Sequence, residues 1–384
     1  MGLPRPSAWF EYTLAHFAKS WNCRSQGSRQ SGGRACGPHE SGKAQSMGLI
    51  RIAIVGLGLI GRERLRAVRR LRAEGLGIDI VALLDPFAAD IAALAYEEGA
   101  SVCRKLEDVA VCRPDLTVVA VPHDAAAETA GALMNTGLRI LLEKPLGRDL
   151  QEARAIAQLQ QFDRQLSIGH NYRFFAGVAA LVDDARRGIF GTPIGLTLVL
   201  GHGGSPADQQ SWKLDPVRAG GGCLIDPGIH LIDLTVLLNG GLAAVAGGHA
   251  WRGFWNTGIE EDCHLILTGG SIPSIDLHVS VVRWRSTFRV EFHGMDGYGI
   301  VEGRGRSYGP QTYRRGKRWG WQGGPSQAES EELVVTSSAD DAFAAELRDI
   351  LFGDPCRAAS AQESLLNMEL LDDCRAALNL NTRA

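Results

Sequence analysis

At 384 residues the chain is longer than one hydrophobic core usually serves, so two domains are the starting expectation. Apolar residues at 45% and charged residues at 22% are ordinary for a globular protein, and a net charge of −3 supplies no field for nucleic acid or an anionic membrane. No run nears the roughly 18 apolar residues of a spanning helix, and eight scattered cysteines without a CxxC pair read as free thiols in a reducing, cytoplasmic setting, with no disulfide framework and no metal-type cluster.

In chain order, residues 1–46 stand apart. They hold four Arg, two Lys and two Glu, a net of +4 that leaves −7 for the remainder. Their Gly/Ser/Arg stretches have too little apolar surface to offset ordering entropy. Met47 then opens a strand-first segment. The leader therefore reads as a mis-called start or a flexible appendage; it lacks the compact apolar stretch of a targeting peptide.

Ile50–Val55 is a short β-branched run ending at glycine, the form of a buried parallel strand. Ile60, Leu65, Val68 and Leu71 recur at helical spacing over 60–73, and Ile78–Leu84 is the next strand. The alternation continues with helix 87–98, strand 115–121, helix 124–135, strand 138–142, helix 149–162 and strand 165–169. Strands separated by single helices imply right-handed crossovers and a doubly wound parallel sheet. After residue 190 the stretches 193–201, 243–252, 261–268, 274–284, 287–293 and 298–302 predict a large open, mostly antiparallel sheet, with a helix over 226–239. Helical periodicity returns over 339–352 and 359–379, and the last helix is expected to pack back on the first domain. The predicted class is α/β, with domains over 47–170 and 171–384.

Gly56-Leu57-Gly58-Leu59-Ile60-Gly61 sits at the first strand-to-helix junction. Gly56 allows the tight turn, Gly58 admits a pyrophosphate to the backbone, and Gly61 lets helix pack on strand. Leu59 and Ile60 open a helix whose N-terminal N–H groups suit phosphate. Asp85, 24 residues past Gly61, ends the second strand. An acid there accepts hydrogen bonds from ribose hydroxyls and repels a 2′-phosphate, which favours NAD over NADP; the bland alternative is an Asp85-Pro86 turn. Arg62 is expected to face solvent.

Three further motifs fall where a substrate would meet a nicotinamide. Glu143-Lys144-Pro145 ends the fifth strand, where Lys144 can bond a substrate hydroxyl and stabilise oxyanion character. Gly169-His170-Asn171-Tyr172-Arg173-Phe174 marks the crossing between domains; Asn171 would line the site and Arg173 would pair with an acid. In Gly220-Gly221-Gly222…Asp226-x-Gly228-x-His230-x-x-Asp233, Asp226 and His230 are four apart and share a face if helical, so the carboxylate can orient a general acid–base histidine.

Together these motifs resemble the glucose–fructose oxidoreductase / inositol 2-dehydrogenase (Gfo/Idh/MocA) family, over about residues 50–380. The resemblance implies a Rossmann domain plus an α/β domain with a large open sheet. It implies that Lys144 and Asp226 bind and polarise a secondary alcohol of a sugar, cyclitol or sugar derivative, that His230 takes its proton, and that hydride passes to NAD. It places Gly56, Gly58, Leu59, Ile60, Asp85, Pro122, His123, Glu143 and Lys144 around the cofactor and Asn171, Lys213, Asp226 and His230 around the substrate. It also implies a homodimer or homotetramer through the open sheet. One departure stands out: where the family usually has Asn after Pro, this chain has His123. Lys213 and Arg218 precede the glycines and suit an anionic or polyhydroxy substrate. Residues 304–321 carry six basic groups and no acid, with Tyr308, Tyr313, Trp319 and Trp321 interleaved, a composition suited to a nucleotide-sugar or to a flexible basic hairpin. Two rivals remain open: an NAD-dependent glycoside hydrolase of the same fold, and a non-catalytic NAD-binding regulator.

Overall fold

A computed structural model of the chain describes residues 49–206, 211–323, 330–337, 341–353 and 356–380. The leader expected over 1–46 lies outside the described residues. Gly48–Ala384 forms one compact unit built on two sheets.

The first sheet follows the expected alternation. Ile50–Val55 (β1) leads through Leu59–Ala73 (α1) to Ile78–Leu84 (β2), Ile91–Glu98 (α2), Ser101–Val102 (β3) and Leu106–Val111 (α3). Leu116–Val119 (β4), His123–Asn135 (α4), Ile140–Glu143 (β5), Leu150–Gln158 (α5) and Leu166–Gly169 (β6) complete the alternation. β6, β5, β4, β1, β2 and β3 lie side by side in that order and run parallel. β1 is central, and its Ile52, Ala53, Ile54 and Val55 are buried between helices on both faces, which is why it reads as a continuous apolar run. The second helix starts at Ile91, later than residue 87, because Asp85 Oδ1 accepts from the Phe87 N–H at 2.8 Å and holds a turn there. β3 and α3 were not expected; elements of two and six residues carry too little pattern.

A 3₁₀ turn, Asn171–Phe174, leads into Ala176–Arg186 (α6), a helix not anticipated from the sequence. Pro193–Gly201 (β7), Pro216–Ala219 (α7) and Ile229–Asn239 (α8) follow, then Ala244–Trp251 (β8), Asp262–Thr268 (β9), Ser274–Ser280 (β10), Thr287–Gly294 (β11) and Gly297–Glu302 (β12). Two unanticipated strands, Gln311–Lys317 (β13) and Glu332–Ser337 (β14), extend the sheet to eight in the order β14-β13-β12-β11-β7-β10-β9-β8. Only β7 and β10 pair in parallel. Burial alternates along these strands: Cys263, Leu265 and Leu267 face the core, while Asp262, His264 and Ile266 face outward. α8 is buried almost all round, as a helix between layers must be; it packs on β7 and β10.

The chain then returns to the first sheet. Ala342–Phe352 (α9) packs on α1, Ala359–Ser360 (β15) pairs antiparallel with β6, and Ala361–Ala377 (α10) packs on α5 and α8. The return is anchored by Arg64 of α1, which is fully buried. Its guanidinium meets Glu143 at 2.6 Å and Glu346 of α9 at 2.7 Å, with Phe343 under it at 4.7 Å.

One guanidinium cannot neutralise two buried carboxylates. Burial accordingly pushes the Glu346 carboxyl up to about 7, against the pull of Arg64. An acid whose native pKa is raised holds its stabilising proton below the unfolded value and loses that contribution as pH rises through 7. Glu346→Gln should therefore lose less melting temperature than the parent between pH 5 and pH 8. Equal losses in calorimetry would remove Glu346 as the titrating group.

Candidate active site

The parallel strands of the first sheet end along one edge, where ligands bind in such folds. Gly56 follows β1 with φ +91°, and a Cβ there would lie 2.3 Å from the Ala120 carbonyl beyond β4. At Gly61 a Cβ would lie 1.9 Å from the Gly56 carbonyl, so helix, loop and neighbouring strand leave no room for a side chain. Gly58 is different: nothing lies within 4 Å of its Cβ position. The loop is closed toward the protein and open beside the start of α1, where Leu59 is exposed. That cradle fits a pyrophosphate. Asp85 turns back over it, with Oδ2 accepting from the Leu57 N–H at 2.6 Å. The turn at Asp85 and its place beside the glycine loop therefore coexist. Arg62 pairs with Asp90 at 2.6 Å.

Lys144 follows β5 on the same edge. Its Nζ donates to Asp226 Oδ1 at 2.6 Å, while Lys213 Nζ stands 2.9 Å from Oδ2. Burial alone would push the Asp226 carboxyl up, but Lys144, Lys213 and His123 hold it well below the usual carboxylate range. The result is one carboxylate gripped by two ammonium groups at the edge of the sheet.

Asp226 and His230 do not share a helix. α8 begins at Ile229, and Asp226 lies in the preceding turn, which the Gly228 N–H closes on the Cys223 carbonyl at 2.8 Å. Three glycines make room for that turn; at Gly222 a Cβ would meet the Glu260 carbonyl at 2.0 Å. Among the described residues no hydrogen bond joins Asp226 to His230, so the carboxylate does not orient the imidazole as expected.

Tyr172 does so instead. Its ring lies flat on His230, with centroids 3.8 Å apart and planes 8° from parallel. Burial, reinforced by Lys144 and His170, holds the His230 imidazole well below its usual value, so the ring is neutral near pH 7. Its Nδ1 is buried without a hydrogen-bond partner among the described residues. Behind Tyr172, the Arg304 guanidinium lies 5.3 Å from that ring and 3.9 Å from Tyr308. Arg306 of the same loop pairs with Glu63 of α1. Nothing in sequence spacing announces Tyr172 or Arg304 as site residues; the only signal was their aromatic and basic character.

The crossing is locked as the sequence suggested. Arg173 donates to Asp233 from Nε at 2.8 Å and from Nη2 at 2.6 Å, and Asn367 adds a third hydrogen bond to Asp233 at 2.8 Å. Asn171 is buried in the adjoining 3₁₀ turn. His123 opens α4 after Pro122, and its Nδ1 lies 2.8 Å from the Ala219 carbonyl. A carbonyl only accepts, so Nδ1 carries the proton and Nε2 is left as an acceptor. Its ring stands edge-on to Trp212 with centroids 4.7 Å apart, and burial lowers its pKa to about 4.

Other residues expected near a ligand have partners within the protein. The Glu143 carboxylate accepts from Arg64 Nε at 2.7 Å, which makes it a brace behind Lys144. Arg218 donates to Asp124 at 2.9 Å. The basic stretch 304–321 is no free hairpin: it includes β13, and Arg315 reaches Asp184 at 3.0 Å and Glu332 at 2.8 Å. Acids distant in sequence neutralise what looked locally like an unbroken cationic patch.

Residues 50–170 match the family profile described as an oxidoreductase family with an NAD-binding Rossmann fold, and residues 178–299 match a GFO/IDH/MocA C-terminal domain. The rhizopine catabolism protein MocA of Rhizobium meliloti is 31% identical over 50% of this chain and 57% of its own length. The 1,5-anhydro-D-fructose reductase of Ensifer adhaerens is 30% identical over 55% and 63%. The chain thus spans about three-fifths of the curated relatives it matches. A UDP-N-acetylglucosamine 3-dehydrogenase from Acidithiobacillus ferrooxidans has the same fold, with a TM-score of 0.67 at 20% identity over 86% of this chain and 98% of its own.

Proposed function

The chain belongs to the GFO/IDH/MocA oxidoreductase family, and from that premise we propose that it interconverts a secondary alcohol and a ketone on a sugar, cyclitol or sugar derivative. The observation that carries this reading is the convergence of Lys144, Asp226 and neutral, stacked His230 at the strand edge that also carries the glycine cradle.

Gly56, Gly58 and the N-terminus of α1, with Leu59 and Ile60, would hold the pyrophosphate of a dinucleotide. Asp85 would meet the adenosine ribose, and Pro122, His123 and Lys144 would flank the nicotinamide end. When bound, NAD supplies the hydride acceptor. Asp85 favours NAD over NADP because a 2′-phosphate would face a carboxylate. Lys144 donates a hydrogen bond to the substrate oxygen and stabilises the negative charge that grows there as the hydroxyl proton leaves. Asp226 holds that ammonium in place and accepts from a neighbouring hydroxyl. His230 takes the hydroxyl proton, so one C–H and one O–H bond break as the carbonyl forms. Lys213 and Asn171 complete the polar lining for a polyhydroxy ring.

The partner in this reading is a small sugar-like molecule, with neither nucleic acid nor membrane involved; among the described residues no helix is long and apolar enough to cross a membrane. The six described cysteines are free thiols, which suits the cytoplasm. Association of two or four copies through the outward face of the second sheet belongs to the same reading.

The test is NADH formation on a panel of sugars, cyclitols and nucleotide-sugars, run with NAD+ and with NADP+. Turnover on at least one, with NAD+ preferred and the preference reduced in Asp85→Ala, is expected. A protein that binds NAD+ but turns over no member of the panel would favour the regulator reading. Aglycone release without net NADH would favour the hydrolase.

A further inference from the structure

The outward face of the second sheet carries a row of histidines that the catalytic reading does not use. His264 of β9 stands directly opposite His278 of β10 in the antiparallel register, and His249 of β8 stands opposite His264 on its other side. Three of the chain's ten histidines thus occupy one row across three adjacent strands. Asp262 precedes His264 by two residues, so strand alternation puts it on the same face.

The side chains converge. The His264 and His278 rings stack with centroids 3.5 Å apart and planes 27° from parallel. Asp262 Oδ2 lies 3.0 Å from His278 Nε2, and Asp262 Oδ1 lies 3.7 Å from His264 Nε2. One ligand atom from each of the three residues falls within 4.8 Å of the other two. Ligands about 2.0–2.2 Å from a tetrahedral zinc stand roughly 3.3–3.5 Å apart, so the cluster needs only small side-chain adjustments to enclose an ion. Two imidazoles and one carboxylate suit zinc and its neighbours in the first transition row, whereas magnesium and calcium prefer all-oxygen shells.

We propose that Asp262, His264 and His278 form a site for a divalent transition-metal ion of the zinc class, with His249 within the same row as a fourth donor. The site is independent of the catalytic chemistry: its ligands lie on the outward face through which copies are proposed to associate, and their convergence is complete within one chain. It was invisible to sequence spacing because Asp262-x-His264 and His278 sit on different strands, 14 residues apart from histidine to histidine.

Two charged neighbours shape the site. Asp276 lies one row away on the outward face of β10, adding negative potential. Arg283 opposes it, with Nη1 3.4 Å from His278 Nδ1. A guanidinium only donates, so this contact keeps Nδ1 bare and the proton on Nε2. Metal binding through Nε2 requires that proton to leave and Nδ1 to be protonated, so Arg283 must swing aside.

The experiment is a calorimetric titration of chelator-treated, full-length protein, carrying no histidine tag, with Zn2+, and the same titration with Co2+ followed by visible absorption. One Zn2+ per chain is expected, with Co2+ giving tetrahedral d–d bands. His264→Ala and His278→Ala should each weaken binding at least about tenfold, while circular dichroism and NADH binding stay unchanged. Arg283→Gln should not weaken it. The absence of saturable Zn2+ binding, binding unaltered by both histidine variants, or weaker binding in Arg283→Gln would overturn the assignment.

Discussion

His230→Ala should retain NADH binding and lose turnover by about 10²–10⁴-fold, the usual contribution of a positioned proton acceptor. Two features make this the largest functional effect expected from a single substitution. The ring is neutral near pH 7, held there by burial and by Lys144, so it is ready to take a proton. It is also fixed in plane by Tyr172, and among the described residues no hydrogen-bond partner occupies its Nδ1. Alanine removes the base without disturbing the glycine cradle on β1 and α1. Fluorescence titration with NADH and steady-state turnover on the best substrate read the two quantities separately. Unchanged turnover would remove His230 from the mechanism; loss of both would mean that the substitution had disturbed the fold. Tyr172→Leu keeps the base but frees its plane, so a smaller fall in kcat with KM little altered should accompany it.

What was legible in the sequence follows from how local each signal was. β1 and β2 were readable to the residue because β-branched runs buried on both faces leave a continuous apolar string, ended by Gly56 and by Asp85. The glycine loop and Lys144 were readable because their requirements are steric or positional within a few residues. α6 was missed because Ala176, Gly177, Ala179 and Ala180 blur its apolar stripe. β13 was missed because Arg314, Arg315 and Lys317 read as a charge run, whereas Asp184 and Glu332, the acids that neutralise Arg315, arrive from 131 and 17 residues away. Arg64 illustrates the same limit. On α1 it looks like one more solvated arginine among six, and only the return of α9 shows that it is fully buried between Glu143 and Glu346. The separation of Asp226 from the start of α8 was likewise beyond spacing, because an interval of four residues suits a helical face and a tight turn equally well.

Arg173→Met should destabilise the protein by about 3–5 kcal/mol, the largest stability effect expected from one substitution. Arg173 and Asp233 are buried and joined by two hydrogen bonds, so loss of the guanidinium strands the Asp233 carboxylate in the interior. Removing both charges together is a different case. In Arg173→Met/Asp233→Leu no charge is stranded at Asp233, and the residual cost is mainly the Asn367 amide that loses its acceptor, about 1–3 kcal/mol. The double variant should therefore be more stable than Arg173→Met alone in urea denaturation, a coupling that independent sites would not give. The pair also sets function. Asp233 lies three residues beyond His230 on α8, and Arg173 follows Tyr172 in the 3₁₀ turn, so the ion pair fixes the two elements whose rings stack. Turnover in the double variant should fall while NADH binding is retained, because β1, its glycine loop and α1 are untouched. Full activity in that variant would mean that the Tyr172–His230 stack keeps its alignment without the lock behind it.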